Sequence, residues 1–179
     1  MRLISLFYAT ALATTLTYAG EFTLHSNDLS GQLTMKQVYS GFGCTGQNIS
    51  PELHWNDTPK GAKSLAVTVY DPDAPTGSGW WHWVVFNIPA SVTSLPSDFG
   101  NTAKKQPINA MQSITDFGKT GFGGACPPVG DKPHRYVFTV HALNVDHLDL
   151  DEKASAALVG YMINAHSIGK ATLMSYYGR

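Results

Sequence analysis

Short apolar runs rich in β-branched and aromatic residues, each cut off by Gly or Pro, constrain this fold more than any other feature. Ser64-Leu65-Ala66-Val67-Thr68-Val69-Tyr70 favours a strand and stops at Asp71-Pro72. Trp81 to Ile88 is apolar on both alternating faces, as in a strand buried on both sides. Tyr136-Val137-Phe138-Thr139-Val140 repeats the pattern. With a shorter run near the start, strands are predicted near 21–25, 63–70, 81–88 and 135–143. Gly and Pro clusters at 41–46, 71–79 and 118–133 make long loops between them. Such loops inside a compact β domain are uncommon and often functional.

One helix is predicted. Asp149 is its candidate N-cap, with Glu152 as the capping-box partner. Ala154, Ala157, Leu158, Tyr161 and Ala165 then recur at helical spacing, and Gly169 ends it. Ala171 to Tyr177 returns as a strand. The chain therefore reads as mainly β with one late helix, and 179 residues fit one domain.

Residues 1–19 stand apart from that domain. Met1-Arg2 is a basic start, Leu3 to Leu16 is apolar apart from small hydroxyl residues, and Thr17-Tyr18-Ala19 places small residues for cleavage. This is the pattern of a secretory signal peptide, and the run is shorter than the roughly 20 apolar residues of a membrane span. The expected product is residues 20–179, exported to the periplasm or secreted and not membrane-spanning.

The formal net charge is −1 and the basic residues are scattered, with Lys104-Lys105 the only adjacent pair. Nucleic-acid binding needs a concentrated basic footprint and is disfavoured. There are two cysteines, Cys44 and Cys126. In an oxidising compartment an even pair reads first as a disulfide. The loop it would close, roughly 80 residues, corresponds to about 4.5 kcal/mol in the chain-entropy account. Free buried thiols and metal ligation are the alternatives, and the spacing lacks the C-x-x-C of a zinc site.

Three segments carry candidate chemistry. Asp71-Pro72-Asp73-Ala74-Pro75 follows a strand, and its two prolines stiffen a loop that can aim a carboxylate. In Gly77-Ser78-Gly79-Trp80-Trp81-His82-Trp83-Val84-Val85-Phe86, three of the chain's four tryptophans surround one imidazole. On a regular strand His82 shares a face with Trp80, Val84 and Phe86. In the third segment, Pro127 to Tyr136, His134 and Tyr136 point to one side and Arg135 to the other, where it suits an ion pair. Each segment also has an ordinary reading: a plain turn, a satisfied core histidine, a loop-end histidine beside a core tyrosine.

Taken in order, Asp-Pro-Asp-Ala-Pro, Trp-Trp-His-Trp and Pro-Pro followed by His-Arg-Tyr resemble the phosphatidylethanolamine-binding protein family, which includes Raf kinase inhibitor protein. Asn48-Ile49-Ser50-Pro51-Glu52-Leu53-His54-Trp55 and Gly41-Phe42-Gly43-Cys44 match as well. The leader and Gly-Phe-Gly-Gly-Ala-Cys-Pro-Pro at 121–128 resemble the family's bacterial exported branch. The resemblance covers nearly all of residues 20–179. It implies a Greek-key antiparallel β-sandwich with one or two short peripheral helices and a small anion pocket at one end. Asp71, Pro75, Trp80, His82, Pro128, His134 and Tyr136 fall at positions that line that pocket, and Ala74-Pro75 is a candidate cis bond.

The leading expectation is a binding protein for a phosphate, phosphoethanolamine or carboxylate group, with no cofactor. No catalytic nucleophile is apparent, and Gly77-Ser78-Gly79 lacks the spacing of a hydrolase elbow. A second reading is a protein-interaction module that modulates a kinase, protease or host factor through loops 71–80 and 118–133. A homodimer is a further candidate assembly. The third reading is a metal-dependent enzyme using Asp71, His82 and His134 as a two-His, one-carboxylate triad.

Overall fold

The computed structural model describes residues 20–179, so the expected leader lies outside the described residues. The elements follow as β1 (Thr23–His25), β2 (Ser40–Gly41), β3 (Cys44–Thr45), β4 (Leu53–Asn56), β5 (Ser64–Asp71), β6 (Trp80–Pro89), β7 (Ser94–Leu95), β8 (Met111–Gln112), β9 (His134–Leu143), α1 (Ala156–His166) and β10 (Ser167–Tyr177). A five-stranded sheet has the order β10-β9-β5-β6-β8, a three-stranded sheet has β1-β4-β7, and β2 pairs with β3. All of these pairings are antiparallel. The run β9-β5-β6-β8 is a Greek key, because β9 returns by a long connection to lie beside β5.

The two larger sheets form a sandwich. Leu24, Trp55 and Leu95 from the small sheet pack with Val67, Trp83 and Phe138 from the large one. The opposite face of the large sheet is covered by α1, where Ala156, Val159 and Ile163 meet Val84, Phe86 and Leu143. With both faces covered, β5, β6 and β9 read as continuous apolar runs, which is why they are legible in the sequence. Among the described residues no helix is long and apolar enough to cross a membrane.

Three local expectations are corrected. Val69 pairs with Trp83 and Tyr70 with Trp81, so His82 is an extra, bulged residue. The bulge shifts the alternation by one: Trp83 and Val85 face the inner cluster, whereas Val84 and Phe86 lie in the helix-side cluster. His82 therefore does not share a face with Val84 and Phe86.

The helix starts later than expected. Ser155 is its N-cap, accepting from the Leu158 amide, and the buried face is Ala156, Val159, Gly160 and Ile163. Leu158 and Tyr161 are exposed. The reason lies upstream, where buried Leu148 is pinned through both backbone groups to the Asn87 side chain and keeps residues near 149 out of a helix. Nor does Gly169 stop the helix. Ser167 caps it, and β10 follows at once with Gly169 at an irregularity in its pairing.

Finally, no peptide bond among the described residues is cis, Ala74-Pro75 included. The chain reverses there by other means. The Asp71 carboxylate accepts from the Asp73 and Ala74 amides, and the Thr76 amide donates across Pro75 to the Ala74 carbonyl at 2.8 Å.

Candidate functional site

Asp71 ends β5, His82 sits at the bulge of β6, and His134 and Tyr136 open β9 on the adjacent strand. The fold thus brings one end of three neighbouring strands together. All seven side chains singled out in the sequence, Asp71, Pro75, Trp80, His82, Pro128, His134 and Tyr136, line one cavity of about 180 Å³.

The polar core of the site is ordered by carboxylate contacts. Asp71 is buried, and its Oδ2 accepts from His134 Nδ1 at 2.7 Å while Oδ1 accepts from two backbone amides. His134 is buried as well, and its Nε2 lies 3.4 Å from Oδ2 of Asp131. Arg135 points away, as expected, and grips Asp73 through Nε and Nη2 at 2.8 and 2.6 Å. That guanidinium holds the Asp73 carboxyl down to about 2. The pair fastens the 71–76 loop to the start of β9.

His82 Nδ1 donates to the Gly123 carbonyl at 2.7 Å, so Nε2 is the nitrogen available to a ligand. Burial pushes the His82 imidazole below its ordinary value, against the opposing pull of the Gly123 hydrogen bond and the Asp71 charge. Desolvation wins, and His82 is neutral at neutral pH with Nε2 as an acceptor. Tyr136 is buried beside it, with ring centroids 5.1 Å apart. Burial, helped by the Asp71 charge, pushes its phenol well above the usual range. It stays protonated, yet its hydroxyl has no hydrogen-bond partner.

Four further wall residues are Phe42 and Cys126, which lie in motifs quoted from the sequence, and Thr76 and Phe117, which were not apparent from it. Phe117 meets the His82 and Trp80 rings edge-on, both with centroids at 5.4 Å, and stacks on Phe42 at 5.8 Å. Only a glycine fits behind it, since a Cβ at Gly123 would come within 2.3 Å of the Phe117 ring. No spacing links position 117 to 82. The nearest signal was the glycine-rich stretch at 121–124. Cys126 forms the expected disulfide with Cys44, at a Cα separation of 6.0 Å, and so ties the Phe42 loop to the cavity wall. Arg179 braces the same rim, donating to the carbonyls of Pro127 and Gly43.

The Asp71–His134 contact has the geometry of an orienting pair, and two wall residues of nucleophilic type, Thr76 and Cys126, are otherwise engaged. The Thr76 hydroxyl donates to the Gly79 carbonyl, and Cys126 is oxidised. Among the described residues no three His, Cys, Asp or Glu side chains gather as metal ligands, so Asp71, His82 and His134 do not form the facial triad.

Comparisons with known proteins bear on the family and the fold. The sequence model described as phosphatidylethanolamine-binding protein matches residues 25–178. The YbcL protein of Escherichia coli K12 is 56% identical over 162 residues, covering 89% of this chain and 88% of its own. The YbhB protein of the same strain is 51% identical over 156 residues, covering 86% and 98%. The crystal structure of E. coli YbcL, described as a new member of the mammalian family, superposes with a TM-score of 0.87 at 54% identity, covering 89% of this chain and 99% of that one. A homologue from Chlamydia trachomatis superposes at 0.70 with 31% identity, covering 88% and 97%. The chain belongs to the phosphatidylethanolamine-binding protein family.

Proposed function

We propose that this chain is an exported binding protein that holds a small phosphate-type anion in the cavity between Asp71, His82, His134 and Tyr136. The observation that carries the reading is the buried Tyr136 hydroxyl, protonated and without a partner, on the wall of a cavity shared by two imidazoles. A buried donor left unmet costs about 1–3 kcal/mol, and a ligand oxygen would recover that loss. Neutral His82 offers an acceptor, so the preferred ligand brings a proton of its own. A monoprotonated phosphate monoester does this, donating its P–OH to Nε2 of His82 while accepting from Tyr136. The disulfide supports export to an oxidising compartment.

Isothermal titration with phosphoethanolamine from about pH 5 to about pH 8 tests the ligand, whose second ionisation lies near 6. Affinity is expected to fall as pH rises through that ionisation. Affinity that is flat or rising over the range would overturn the assignment. N-terminal sequencing of the mature protein tests export, and intact Met1 would contradict it.

A second reading rests on Phe42, 66% exposed on the cavity wall, and Val129, 77% exposed and next in the chain to the wall residue Pro128. Exposed apolar side chains at a rim suit a protein partner. A partner whose capture survives Tyr136→Phe but is lost in Phe42→Ser would favour that reading.

A further inference from the structure

The face of the large sheet beneath α1 should be apolar, and over most of its area it is. Towards β10 it changes character. Ala66, His141 and Lys170 lie side by side across β5, β9 and β10, and Thr68, Thr139 and Thr172 form the next row. Above these rows lies a second cavity of about 160 Å³. The helix supplies Gly160, Ile163 and Asn164, and Trp81 closes one end. A Cβ at Gly160 would stand 3.4 Å from the Trp81 ring, so the helix and the indole approach closely here.

His141 lines this cavity and is 8% exposed. Its Nε2 is 3.3 Å from the Thr68 hydroxyl, while Nδ1 has no hydrogen-bond partner. The histidine pocket does not reach it, because Thr68, Thr139 and His141 belong to the opposite face of the sheet from Val67, Phe138 and Val140. No carboxylate lines the cavity, and Lys170 makes no ion pair among the described residues. The site is thus cationic at Lys170, amide-bearing at Asn164, polar within at Thr139 and His141, and flat and apolar at Trp81 and Ile163. A cavity of about 150 Å³ accommodates a benzene-sized molecule.

We propose that this cavity is a second binding site, for a small hydroxylated aromatic carboxylate of the size of 4-hydroxybenzoate. Lys170 and Asn164 would receive the carboxylate at the mouth, the ring would lie against Trp81 and Ile163, and the hydroxyl would reach Thr139 and His141. A charge-assisted contact to an ammonium and a flat aromatic wall are the two features such a ligand needs.

The test is a two-dimensional amide NMR titration of the mature, oxidised protein with 4-hydroxybenzoate and, separately, benzoate, up to about 10 mM. Shifts should centre on residues 139–141, 160–164 and 170, with about tenfold weaker binding in Lys170→Gln, an exposed position where folding is not at stake. Tyr136→Phe, in the other cavity, should leave the titration unchanged. No shifts, shifts confined to residues 71–80, 82 and 126–136, or equal affinity in Lys170→Gln would overturn the site. Equal affinity for benzoate would overturn the hydroxyl contact and the part given to His141.

Discussion

Tyr136 pits stability against binding. Its hydroxyl is buried and unpaired, so Tyr136→Phe removes a liability from the empty protein. Thermal unfolding should show a gain of about 1 kcal/mol, while phosphoethanolamine affinity drops about tenfold. A variant that loses both would show that the hydroxyl is structural. His82 and His141 act on stability through protons. Burial lowers both, His141 to about 4 with help from Lys170. Above about pH 6.5 each is neutral whether folded or unfolded. As pH falls from there towards 4, the unfolded chain takes up protons that the folded chain refuses, so stability is lost. The His141 share is on the order of 3 kcal/mol. Melting temperature against pH should fall across this window, and more shallowly in His141→Gln.

At the scale of elements, the N-cap is the sharpest test of where α1 begins. Ser155→Ala should cost about 1 kcal/mol in denaturant unfolding, whereas Asp149→Ala should change stability by less than about 0.5 kcal/mol. The long strands were legible because their β-branched and aromatic runs are uninterrupted. The helix was legible as a helix but not in phase. Leu158 and Tyr161 lie outside while Val159 and Ile163 lie inside, and apolar residues on several faces give the periodicity no unique direction. The bulge at His82 was hidden for a related reason. A run that is apolar on both faces does not reveal an extra residue, yet that residue decides which side of the sheet the imidazole faces. Strands β2, β3, β7 and β8 are two residues long and carry no pattern to read. The candidate site was read by a different route: motif order supplied its seven residues, while Phe117 was reached only through space.

Over the whole molecule, the cavity is assembled from segments as far apart as Phe42 and Tyr136, and long-range ties between those segments close it. The Cys44–Cys126 bond is one of them, spanning 82 positions. Reducing it should cost up to about 4–5 kcal/mol by chain entropy and should also free the Phe42 rim. Because Cys126 is itself part of the cavity wall, occupancy and oxidation state become reciprocal variables. If opening the bond weakens ligand affinity by some factor, a bound ligand must resist its opening by the same factor. Dithiothreitol titrations with and without saturating phosphoethanolamine would measure that coupling. Coincident curves would mean that wall and ligand ignore one another. Displaced curves would make this protein a carrier whose grip reports how oxidising its surroundings are.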